Sequence, residues 1–405
     1  MCLVTTATTA GNQNGPSEVP ISAKEQADNA DRIATHKVDG SKPINQQDLE
    51  QARREHLFGL PSFAQNWVVQ NLLRQKDERN ITIFYVGMNI IMTSWPMAAG
   101  LFLMEKGGST PTWALLLAGL VYFIFHLKTH ARSFILALHY TTHCSIFNRN
   151  LRFLNHIYTS VLCCFFGIPP FLYYAHHIAM HHHGDNQDHL DHSSTMRYNR
   201  GRKFHHFLYM LRFFAAGWIE LPILIFRQGV NHDLLVKCLF GEVFFYGGMI
   251  KLFMSYPIAT FWVVVLPWVF VSFSLMQGNF KEHIFVDPDD PSNNYKSAIT
   301  CINAPSNALT FNTGYHIEHH EDPGLPWYRM PALFLKNIPK HAENDSFVFS
   351  GIGTMEVGTL VLNGKFEELT DYYLDIGQPK RTKAELVAEF KRRVTPIVAI
   401  RVKSE

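Results

Sequence analysis

YYAHHIAMHHHGDNQDHLDH, residues 173–192, carries seven histidines in twenty positions. Packing does not ask for so many imidazoles, because a core histidine is usually single and satisfied by hydrogen bonds. His177 lies four residues before His181, and His182 follows directly. On a helix, residues i and i+4 share a face, so two such rings can converge on one ion. Neutral imidazole is the commonest side-chain ligand for first-row metals. The plain alternative is a solvated loop that happens to be histidine-rich. It is set aside because similar clusters recur at His139-x-x-x-His143 and at His316-x-x-His319-His320. His283, four residues after Asn279, stands apart from these clusters.

Outward from this stretch, the chain has 405 residues and a net charge of +2, so its charge implies no nucleic-acid partner. Its hydrophobic share of 47% is ordinary, but the apolar residues concentrate in long runs between residues 81 and 277. None of the six cysteines forms a CxxC pair, which argues against a cysteine-based zinc site or a redox disulfide. A reducing compartment fits.

Residues 1–55 are polar and read as a disordered tail, with a helix starting near Gln46. No basic segment followed by an apolar one opens the chain, so no signal peptide is expected. Residues 56–80 read as an amphipathic pre-membrane segment, residues 81–335 as a membrane domain, and 336–405 as a cytosolic tail. Runs at 81–104, 113–127, 239–256 and 258–276 are expected to cross a bilayer as two hairpins. Residues 151–174 and 204–226 are interrupted by polar residues and proline, and are expected to lie at the interface. This topology puts every histidine cluster on one side. Lys and Arg residues flank that side, so it is expected to be cytosolic, together with both termini. The tail contains the capping box Thr382-x-x-Glu385, followed by Leu386, Val387, Phe390 and Val394 on one helical face. That helix is expected to pack under the histidine face.

The order HxxxH, HxxxHH, HxxHH resembles the integral-membrane fatty acid desaturases, a superfamily that includes related hydroxylases. The resemblance covers roughly residues 80–335. It extends to the 34-residue step from His143 to His177 and to the run from His319 to Trp327, HHEDPGLPW. It implies an all-α membrane protein with four transmembrane helices in two hairpins, interfacial helices and a cytosolic histidine-rich cap holding two irons. The implied metal ligands are His139, His143, His177, His181, His182, His283, His316, His319 and His320. Asn279 matches an Asn that in some relatives reaches one iron through water. The implied reaction is oxygen-dependent oxidation of a lipid acyl chain, most simply to a carbon–carbon double bond. The chemistry fits: an unactivated methylene demands a strong oxidant, and iron with O2 supplies one.

Several points stay open in the sequence. The second cluster has one residue more than the common HxxHH, so His182 with His183 competes with His181 and His182. His126 and His130 form a further HxxxH, but too far from the second cluster to serve as the first box. His189, His192, His205 and His206 are expected in solvated loops. Asp185, Asp188, Asp191 and Glu318 are candidates for orienting the imidazoles. No HPGG haem element appears, so electrons are expected from a separate carrier of cytochrome b5 or ferredoxin type. The basic stretch 197–203 could dock an acidic carrier or contact lipid headgroups.

A hydroxylase, acetylenase or oxidative decarboxylase would use the same site. A zinc-dependent membrane hydrolase needs three or four ligands, not nine histidines. A metal transporter would place its ligands inside the spans. The ending RVKSE, 401–405, resembles a dilysine-type retrieval signal and points to the endoplasmic reticulum.

Overall fold

The computed structural model describes residues 43–49, 56–229, 232–376 and 381–397. The ending 401–405 and most of the expected tail lie outside these residues. A helical turn, Gln46–Leu49, stands where a helix was expected. The pre-membrane helix α1 (Ser62–Asn71) exposes Phe63 and Trp67 and buries Val68 and Val69 against Leu73, Ile81 and Tyr85.

The first apolar run forms α2 (Ile81–Gly107), which ends where Gly108 takes φ 67. That left-handed cap is cheap for glycine alone. After Pro111, α3 (Thr112–His126) passes through a π turn, Leu127–Ala131, into α4 (Arg132–His143). The continuous helix of 32 residues is about 48 Å long at about 1.5 Å per residue. That exceeds a hydrocarbon core of about 30 Å, so its last turns carry His139 and His143 beyond it.

Residues 151–174 do not make one interfacial helix. They break into the turns Arg149–Asn155, Ile157–Val161 and Leu162–Phe166. Gly167 then takes φ 72, and a Cβ there would sit 2.0 Å from the Trp268 Cα. Next come α5 (Leu172–His176) and a further π turn, His177–His181. Beyond these lie α6 (Lys203–Arg227), α7 (His232–Ser255) and, after Pro257, α8 (Leu266–Glu282).

Among the described residues, four helices are long and apolar enough to cross a membrane: Glu78–Gly107, Thr112–His143, Lys203–Arg227 and Pro257–Glu282. By this measure α6 replaces the expected third span at 239–256. Near its start α6 donates from the Tyr209 hydroxyl to Ser193 O (2.9 Å), and just past its end Gln228 donates to Leu190 O (2.8 Å). Both ends therefore sit beside the loop that follows the second histidine cluster. Cys238 of α7 instead packs with Ala175 and Met180 near that cluster, and the helix leads to the far end of α2. There the Glu105 carboxylate accepts from the Ile258 and Ala259 amides (3.1 and 2.7 Å). A carboxylate on the first free N–H groups of a helix suits its positive end. α6 packs along α8, with Phe214 against Trp268 and Phe273, while α7 meets the last span near its start, at residues 257–265.

The all-α expectation meets one exception. β1 (Ile299–Ile302) pairs in parallel with β2 (Phe347–Ser350). Between them lie α9 (His316–Glu321) and α10 (Met330–Asn344), and beyond them α11 (Thr354–Leu362) and α12 (Lys383–Arg393). The capping box at Thr382 and Glu385 is formed. Leu386, Val387 and Phe390 of α12 share a core with Phe280, Ile284 and Phe285, around His283.

Arg200 is fully buried and was misread as part of a docking surface. Its guanidinium donates to the carbonyls of Ile284, Thr195, Met196, Tyr198, Arg393 and Thr395. It ties the loop after the second cluster to the residue after His283 and to the end of α12. Arg197 pairs with Asp188.

Candidate metal centre

All nine expected histidines converge, and they do so as two groups. His139, His143, His177, His182 and His319 form the first; His181, His283, His316 and His320 form the second. Within each group the ligand atoms lie within 4.8 Å of one another. In the first, Nε2 of His319 faces Nε2 of His139 (2.8 Å) and of His182 (3.0 Å), and His182 faces His177 (3.1 Å). In the second, His283 faces His181 (3.3 Å) and His316 (3.0 Å), and His316 faces His320 (3.2 Å). Two nitrogens each about 2.1 Å from one ion, at a right angle, would stand about 3.0 Å apart. The spacing therefore fits a shared cation, and so does the His143 Nε2, buried without a hydrogen bond.

The helix geometry explains the division. In the π turn His177–His181 the chain is wound so that i and i+5 come into register. His177 therefore meets His182, and His181 goes to the other group. The expectation that His177 and His181 converge on one ion is corrected on this ground. On α9, ordinary α geometry sends His316 and His320 to the second group and turns His319 to the first. His183 is exposed and belongs to neither group.

Burial, reinforced by neighbouring imidazoles, holds His177, His182, His316, His319 and His320 well below the usual histidine range. Burial, with His181 nearby, lowers His283 to about 3. Neutral rings keep the lone pairs a metal requires. His181 differs: burial works against its charge, but the Asp191 carboxylate, joined by Glu282 and Asp185, outweighs burial and raises it.

Asp191 meets His181 Nδ1 at 2.8 Å, and Asp185 lies 3.7 Å from His320 Nδ1. Asp188 and Glu318 do not orient a cluster imidazole directly; they pair with Arg197 and His341. Glu282, which the sequence reading passed over, lies 3.9 Å from His316 Nδ1. Its place directly before His283 was the signal available. Asn279 donates to Ser193 O (3.0 Å) and to the Tyr209 hydroxyl (2.7 Å). It shares a cavity of about 890 Å³ with His139, His177, His181 and His316. Leu172, Phe214, Trp218, Tyr246 and Trp268 also line this cavity.

His126 and His130 stand apart from both groups. His126 is bonded to Ser94 Oγ (2.9 Å) and Phe165 O (3.0 Å), and His130 to Thr93 Oγ1 (2.8 Å). Both are satisfied interior histidines. His126→Ala is expected to keep wild-type metal content while losing about 1–3 kcal/mol of stability, because Ser94 loses its buried partner. Metal analysis alongside a thermal melt checks this. Loss of metal at unchanged stability would return His126 to the site. His192 and His206, expected in solvated loops, are buried; His192 pairs with Glu220 on α6.

Residues 111–349 match the fatty acid desaturase family, well over half of the chain. The chain belongs to that family, a class of membrane oxidoreductases acting on lipids. Among curated proteins, one stretch is similar to the sphingolipid delta(4)-desaturase/C4-monooxygenase of Homo sapiens and that of Mus musculus. The identity is 40% over 43 residues in each case. The match covers 9% of this chain and 13% of each relative. No solved structure matches the chain significantly.

Proposed function

We propose that this protein is a di-iron, oxygen-dependent oxidase of lipid acyl chains that introduces a carbon–carbon double bond. The observation that carries the reading is the pair of histidine groups, members of both of which line one cavity with apolar and aromatic residues. When bound, the irons supply the O2-derived oxidising power that an unactivated methylene requires. The first five histidines hold one ion, and His181, His283, His316 and His320 hold the other. The cavity takes the hydrocarbon tail against its aromatic lining, and its volume lies within the usual range of about 300–1,000 Å³ for ligand sites. Leu172, Phe214 and Trp268 exclude water and hold the chain past His139 and His316. A separate carrier of the cytochrome b5 or ferredoxin type delivers two electrons per turnover. The protein resides in the endoplasmic reticulum with the histidine face cytosolic.

Hydroxylation is the second reading. The relatives' shared name joins desaturase and monooxygenase, and a small change in how the chain lies against the same oxidant separates the two outcomes. Purified protein is expected to contain about two irons per chain and to convert a labelled acyl lipid only with O2 and a reductant. One zinc per chain and no oxygen demand would overturn the reading.

Asn279 tests how the second group is completed. Its two N–H groups are taken by Ser193 and Tyr209, which leaves its carbonyl oxygen to hold a water. Asn279→Ala is expected to reduce turnover by about 10–100-fold with partial iron loss, whereas His283→Ala is expected to abolish activity. Wild-type iron and yield in His283→Ala would remove it from the site.

A further inference from the structure

The two histidine groups have different surroundings. In the second, each ring turns Nδ1 toward an oxygen, within hydrogen-bond distance for two of the rings and just beyond it for the other two. His181 Nδ1 meets Asp191 at 2.8 Å and His283 Nδ1 meets Ser297 O at 2.7 Å. His320 Nδ1 lies 3.7 Å from Asp185, and His316 Nδ1 lies 3.9 Å from Glu282. The last two ring nitrogens are buried without a hydrogen bond, each with a carboxylate within a small rotation of contact. Asp191 is itself fixed by the Ser193 amide and hydroxyl at 2.8 and 2.7 Å. Among the described residues, the other carboxylate–imidazole pairs are His192 with Glu220 and His341 with Glu318. None touches a ring of the first group.

We infer that the two metal positions are inequivalent, and that the second group, ringed by Asp185, Asp191 and Glu282, takes up its ion first. The inference rests on the reading that the nine histidines hold two irons. Its physical basis is twofold. A carboxylate accepting from Nδ1–H fixes the ring and makes Nε2 a stronger donor. The Asp191 carboxylate also places negative charge beside a divalent ion in a poorly solvated site, with Asp185 and Glu282 3.7 and 3.9 Å from rings of the same group, while no such pair touches the first group among the described residues. The first group's fifth imidazole works the other way. Each orienting partner is worth about 10–100-fold in metal affinity, so the two already in place, Asp191 on His181 and Ser297 O on His283, outweigh one additional neutral ring.

The test uses the full-length protein, stripped of metal and given one equivalent of iron-57(II) without oxygen. Mössbauer spectra are expected to show one dominant quadrupole doublet at one equivalent and a second only near two. That first doublet should persist in His143→Ala and vanish in His320→Ala. Asp185→Asn and Glu282→Gln change partly exposed carboxylates, so folding is less at risk than with Asp191→Asn. Together they are expected to weaken the preference by at least about 10-fold, so that the first equivalent spreads over both positions. Asp191→Glu is expected to restore more of the order than Asp191→Asn. Even filling in the wild type, or an unchanged order in the Asp185→Asn, Glu282→Gln double variant, overturns the inference alone. A wild-type protein that binds no iron overturns it together with the proposed function.

Discussion

Alanine at His182 is expected to abolish product formation and strip iron, whereas alanine at the adjacent His183 is expected to leave both unchanged. His182 reaches across to His177 and His319 at 3.1 and 3.0 Å and joins the second cluster to the third. His183 points into solvent one position later. The contrast separates a lost ligand from a disturbed helix, since both substitutions fall within the same three-residue turn, His182–Gly184. Removing a ligand should cost at least the roughly 100-fold upper value for removing a partner that merely orients one. Iron per chain and product yield from a labelled lipid are the measurements. Iron retained in His182→Ala and lost in His183→Ala would reverse the choice.

What the sequence disclosed was residue type and spacing. His139 and His143 sit on a regular helix, so their i, i+4 spacing was readable, and both do fall in one group. His177 and His181 carry the same spacing but lie on a π turn. No local signal marks the extra residue per turn, so the partition between groups was not legible. His283 was found through its distance from Asn279, but the ring of carboxylates was found only in part. Asp191 and Asp185 follow the second cluster closely, whereas Glu282 approaches His316 from another element.

Similar limits governed the fold. The last span was read from its apolar run after a proline, whereas the expected span at 239–256 is not among the four candidate spans and α6 stands in its place. That helix exposes one hydrophobic face while its ends return to the histidine loop. Arg200 looked like surface charge because its neighbours Arg197 and Arg202 are basic. Six backbone carbonyls drawn from three segments bury it, and only long-range folding brings those together. The histidine-bearing helix α9 has the same character. Tyr315, directly before it, donates to Asp48 at 2.6 Å, and Asp48 comes from the single turn Gln46–Leu49.

Glu318→Ala is expected to release iron from both groups at once and to lower the thermal midpoint. The helix α9 has six residues and presents rings to both groups. A helix that short does not hold itself and depends on tertiary anchors. Glu318 is the internal anchor. One oxygen meets His341 Nε2 at 2.6 Å and the other accepts from the Thr300 hydroxyl at 2.7 Å. Both Glu318 and His341 are fully buried, and His341 Nδ1 in turn meets Ser346 Oγ at 2.7 Å. Glu318 thus fastens α9 to β1 and to α10, within the segment that the sequence reading set apart as a tail. Alanine leaves the His341 ring and the Thr300 hydroxyl without partners, at a cost of about 1–3 kcal/mol for each buried group. Glu318→Gln keeps an acceptor for Thr300 and a donor for a neutral His341, so it is expected to retain most of the iron. Thermal melts and iron per chain on both variants check the argument. A Glu318→Ala protein that melts like the wild type and carries full iron would show that α9 is held from elsewhere.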